Sequence, residues 1–164
     1  MFNLIRKFRR DERGASILEM GVVAPFLIFL GLGTFEFGWS FYHYHLMSGG
    51  LRDGVRYLAR VDDPNAEQAK GKQIAVFGEI GGTVKRVNWG ASGWDVGNIT
   101  FSMVAVANPI DAGTGMPTYR GGDPIYKVRL ATDVNHPGLG FLPVLGIATP
   151  FRINIFHEER FIGD

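Results

Sequence analysis

Cysteine is absent from the 164 residues, which excludes disulfides and thiolate metal sites and leaves packing to hold the fold together. Neither sign of charge dominates. Seventeen Lys and Arg face sixteen Asp and Glu, so no global field marks a nucleic-acid binder. Serine is sparse (Ser16, Ser40, Ser48, Ser92, Ser102), and none sits in a nucleophile elbow. Histidine numbers four. His43 and His45 are two apart, which on a helix turns them about 200° from each other, unsuited to one metal. His136 and His157 stand alone and read as structural residues. Asp111, Asp123 and Asp133 lack calcium-loop spacing, and the glycine-rich stretches lack a Walker lysine. No catalytic residue, metal or cofactor is assigned, and the chain does not read as an enzyme.

Charge is also missing locally. From Met20 to Phe35 there is none, and Ala15 to Thr34 carries a single ionisable group, Glu19. Twenty helical residues reach about 30 Å, the hydrocarbon thickness of a bilayer. The run is followed by Phe35, Phe37, Trp39, Phe41, Tyr42 and Tyr44, an interfacial aromatic belt rather than a signal-peptide cleavage site. Five cations, Arg6, Lys7, Arg9, Arg10 and Arg13, precede it and should hold the amino terminus in the cytoplasm. The expected layout is a leader over residues 1–14, a membrane helix over 15–38, and an exported domain over 39–164. Glu19 is either a functional intramembrane charge or a carboxylate snorkelling from one turn inside the span. Pro25 should kink or loosen the helix by removing the bond to the Gly21 carbonyl. Glu36 falls near the outer interface, where a carboxylate is hydrated.

The helix should continue as an amphipathic stem to Ala59. Leu46, Gly50, Val55 and Leu58 share one face, and Arg52, Arg56 and Arg60 lie opposite. Gly49 and Gly50 weaken it by about 1 kcal/mol each and mark a place where it can break. A second helix is expected over Ala66 to Val76, capped by Asn65 and stopped at Gly78. Alternation predicts strands at Ile99–Met103, Ile125–Thr132 and Phe151–Ile155, forming an antiparallel sheet against the stem. The fold class is α+β. His136 to Pro150 reads as a long loop that packs on the sheet, with Phe141, Leu142 and Leu145 available to a membrane or partner.

The order of features resembles a known family. A basic leader ends in Gly14, followed by Ala15-Ser16-Ile17-Leu18-Glu19 and an apolar run, similar to the processing site of type IV pilin-like proteins. Arg10-Asp11-Glu12-Arg13-Gly14-Ala15-Ser16 with Glu19, Pro25, Glu36-Phe37-Gly38 and Gly54-Val55-Arg56-Tyr57 resembles the TadE-like pseudopilins of the Tad (Flp) pilus system. Met20 stands where major pilins typically carry Tyr or Phe, and Trp39 where TadE-like proteins often have Arg. The resemblance implies a single-pass protein of the cytoplasmic (inner) membrane, cleaved between Gly14 and Ala15 by a prepilin peptidase. Glu19 would then pair with the new amino group of a neighbouring subunit. Implied partners are other pilin-like subunits, the assembly platform and the membrane, with no nucleic acid. An uncleaved, membrane-tethered binding or sensor domain remains the alternative reading.

Overall fold

The computed structural model describes residues 12–89, 93–144, 146 and 151–163. The leader cations Arg6, Lys7, Arg9 and Arg10, and Leu145, lie outside the described residues. The elements in chain order are α1 (Glu12–Leu58), α2 (Pro64–Phe77), a short 3-10 turn (Val96–Asn98), β1 (Ile99–Val106), β2 (Ile125–His136), α3 (Phe141–Val144) and β3 (Phe151–Arg160). The three strands form one antiparallel sheet in the order β1-β2-β3, confirming the α+β class.

Helix α1 runs for 47 residues, about 70 Å, and passes through Pro25. Its two halves have opposite environments. Ile17, Leu18 and Val22 are each 74% exposed, whereas Met47, Leu51 and Leu58 are fully buried. A core helix of a water-soluble domain would bury its apolar residues within the chain. None of the most apolar window of α1 is buried, and this helix alone among the described residues is long and apolar enough to cross a membrane.

The stem continues through Gly49–Gly50 without a break. A β-carbon at Gly50 would collide with the Ala75 carbonyl, and one at Gly54 would lie 2.5 Å from the Gly71 carbonyl. These glycines let α1 and α2 approach closely, and the packing gained outweighs their poor helix propensity. The expected cap of α2 is corrected. Asp63, not Asn65, accepts the amides of Asn65 and Ala66, and Pro64 occupies the first turn, where a missing N–H costs nothing. Gly78 ends the helix in the left-handed region.

The core combines Met47, Leu51, Val55 and Leu58 of α1 with Ala75 and Val76 of α2, Val87, Trp94 and the inner face of the sheet. The expected stem face is therefore the buried one, with Arg52, Arg56 and Arg60 exposed. The Trp94 indole donates to Thr132 Oγ1 at 3.1 Å, so the largest buried side chain leaves no polar atom unpaired. The strands extend beyond their expected ends because alternation continues: in β2, Val128, Leu130, Thr132 and His136 are buried while Asp133 and Asn135 face out.

Strand β3 runs alongside α1. Contacts pair Phe37 with Phe151, Ser48 with His157, Arg56 with Glu159 and Ala59 with Ile162. Twenty-two helical residues and eleven extended ones both cover about 35 Å, so the two elements keep step. Phe151 and His136, partners across β2 and β3, thus mark the end of the sheet nearest the bare half of α1.

Candidate functional site

At that end of the sheet a small polar cluster is sealed between α1 and the segment after β2. Glu36 is fully buried. Its Oε1 accepts the Leu139 amide at 2.7 Å and the Gly140 amide at 3.4 Å, and its Oε2 accepts the Phe141 amide at 3.2 Å. Three backbone donors, converging at the start of α3, replace the water that a carboxylate would otherwise need. The expectation of a hydrated Glu36 is corrected: the chain folds back over it. Gly138 makes this possible. Its φ is +70°, and a β-carbon there would overlap Glu36 Oε1.

Two helical turns on, His43 is 3% exposed and His136 is fully buried. His136 is not solitary: its Nε2 lies 2.7 Å from His43 Nδ1. The Gly138 amide donates to His136 Nδ1 at 3.0 Å, so that nitrogen carries no proton. His136 Nε2 must then hold the proton and donate it to His43 Nδ1, and both rings are neutral. Burial lowers the His43 imidazole to about 4, and the His136 ring beside it adds to the shift. Burial lowers His136 as well, against the raising influence of Glu36. Ser40 Oγ donates to the Glu36 carbonyl at 3.0 Å, and Trp39 and Trp89 wall the imidazoles. His157, the other histidine read as alone, lies 2.9 Å from Ser48 Oγ.

The remaining sequence-selected positions are not drawn into this cluster. Glu19 and Pro25 are exposed on the bare half of α1, and β-carbons at Gly14 and Gly38 would meet nothing. Sequence reasoning thus selected Glu36 but missed His43, His136 and Gly138 as its companions. His45 points to the exposed side, as the helical spacing requires. Among the described residues no group of three or more metal-ligating side chains converges. The cluster offers no open reaction site; it joins the helix to the domain.

Comparison with known proteins brings in the same helix. The family model of TadE-like proteins matches residues 14–56. That segment, about a quarter of the chain, resembles TadE-like proteins. No curated protein and no solved structure matches the chain. The TadE-like segment runs from Gly14 at the bare end of α1 to Arg56 in the packed stem, and so contains Glu36, Ser40 and His43. Their partners, His136 and the 138–141 backbone, lie outside it.

Proposed function

We propose that this protein is a minor, pilin-like component of Tad (Flp) pilus assembly, a pseudopilin rather than an enzyme. The observation carrying the reading is the division of one uninterrupted helix. Its first half is apolar and bare, and its second half is the core of an α+β domain. A detachable signal sequence would have no such continuity with a domain core. A helix built this way occupies lipid first and can exchange that lipid for neighbouring helices, since both environments suit the same apolar surface.

In this reading residues 1–14 are a cytoplasmic leader, residues 15–38 span the inner membrane, and residues 39–164 lie outside. Gly14 suits a scissile position because it presents backbone without a side chain. Cleavage between Gly14 and Ala15 by a prepilin peptidase removes the five leader cations and creates an α-amino group four residues before Glu19. Buried charges are costly singly and less so when paired, so Glu19 of one subunit would meet the amino group of the next and set their axial register. The partners are pilin-like subunits and the assembly platform.

Mass spectrometry of the protein isolated from its own cells tests this. A mature chain beginning at Ala15 is expected. A chain that keeps residues 1–14 would instead favour a permanently tethered binding module.

A further inference from the structure

We propose that the apolar cleft between α1 and the start of β3 is a lipid-contacting surface, where an acyl chain of the leaflet facing the domain lies against Phe37, Phe41 and Tyr44. This rests on reading α1 as a membrane anchor, and it adds a second membrane contact, made by the domain itself.

The cleft encloses about 220 Å³ and is lined by Phe37, Ser40, Phe41, Tyr44, Phe151 and Ile153. None of these is charged, and the one aliphatic hydroxyl, Ser40, already donates to the Glu36 carbonyl. Such a lining offers little to a charged or strongly polar ligand and suits a hydrocarbon chain. Phe37, Phe41 and Tyr44 follow i, i+4, i+7 spacing and form one stripe. They stay 50%, 62% and 39% exposed although the domain is folded beside them. Phe151 closes the other wall, its ring 5.4 Å from that of Phe37.

Continuity with the span identifies the occupant. From Met20 to Leu51 the only Asp, Glu, Lys or Arg is Glu36, and it is buried under the 138–141 backbone with its oxygens satisfied. Lipid covering the bare half of α1 therefore meets no exposed charge before it reaches the cleft. A hydrocarbon core about 30 Å thick accommodates Met20 to Ser40, which leaves Glu19 at one boundary and the cleft at the other. The buried Glu36 thereby permits the start of the domain to settle into the interface. Tyr42 and Trp39 add the amphipathic rings favoured at that depth.

Because the chain lacks cysteine, single cysteines label cleanly. The full chain would be placed in phosphatidylethanolamine–phosphatidylglycerol nanodiscs with a nitroxide at Tyr44→Cys, Phe151→Cys, Ile28→Cys or Thr100→Cys. Relaxation by oxygen, which partitions into lipid, is compared with relaxation by an aqueous nickel chelate. Labels at 44 and 151 are expected to favour oxygen severalfold, as the label at 28 does, while the label at 100 favours nickel. Aqueous labels at 44 and 151 beside a lipidic label at 28 would overturn the proposal and leave the anchor intact. An aqueous label at 28 would remove the anchor reading itself. Spin–spin broadening at 151 that disappears on dilution with unlabelled protein would put a second copy in the cleft, which also overturns it. Tyr44→Cys retains both phenylalanine walls, so its result stands even where Phe151→Cys disturbs the domain.

Discussion

The Glu36 carboxylate accepts the Leu139 amide at 2.7 Å across 103 residues of sequence. One residue from the apolar helix thus fixes the backbone that links the last two strands, through this bond and its two companions. Replacing Glu36 with Ala should leave three part-buried amides without their acceptor and cost about 2–4 kcal/mol. Glu36→Gln should cost less, about 1–2 kcal/mol, because one oxygen remains while the new amide faces other donors. Hydrogen exchange of the full chain in nanodiscs checks this: the amides of 139–141 should lose protection first, with β1 and β2 little affected.

Gly138 is held at a positive φ with no room for a β-carbon above Glu36. Gly138→Ala therefore combines backbone strain with a steric clash and should destabilise by about 2–3 kcal/mol. Gly140→Ala has the strained φ alone, with open space around the new methyl, and should cost about 1 kcal/mol. Comparing the two by denaturant titration separates strain from collision.

The histidine pair makes stability depend on pH in a defined direction. His43 is lowered to about 4 and His136 is also lowered, both chiefly by burial, so the unfolded chain takes up protons that the folded one refuses. Their contribution is complete above about pH 6.5 and falls as pH drops below it, for His43 until about 4. Each extra proton bound on unfolding gives a slope of up to about 1.4 kcal/mol per pH unit. His157, also lowered by burial and then by Arg52, acts in the same direction. The salt-bridged carboxylates Asp95 and Asp133, held down mainly by Lys85 and Arg152, act at lower pH, below the ordinary carboxylate value. His43→Phe should be less stable at pH 7.5 yet show a shallower loss between 6.5 and 4. Unfolding midpoints measured across pH 7.5 to 4 would reveal an unchanged slope if the pair is not responsible.

Much of this architecture was legible because it rests on local patterns. The charge-free run shows by its length, and the alternating strands and the buried stem face reflect periods of 2 and 3.6. The junction was not, since Glu36 is satisfied by backbone amides, which have no side-chain signature, from a segment about one hundred residues away. The alternation Pro137-Gly138-Leu139-Gly140 was the available sign of a special backbone there. At Gly49–Gly50 propensity alone left a break open for the same reason: it speaks for an isolated helix, whereas the Ala75 carbonyl against Gly50 decides the folded one. His136 looked solitary because its partner sits on a different element, 93 residues earlier.

The bare end of α1 supplies the last prediction. Glu19 is exposed, within a stretch where Ile17, Leu18 and Met20 are exposed too, and among the described residues no side chain covers its charge, which is costly at the lipid boundary or inside it. Paired with the amino terminus of a neighbour, that cost is offset; unpaired, it opposes burial in an assembly. Glu19→Gln removes the charge while leaving the apolar run intact, so membrane insertion should be unchanged or slightly improved. Assembly should nevertheless fall about tenfold or more, because the neighbour's ammonium is then buried without its partner. Membrane fractionation and cross-linking of the pilin-like subunits measure the two separately. Insertion and cross-linking that both match the wild type would show that Glu19 sets no register.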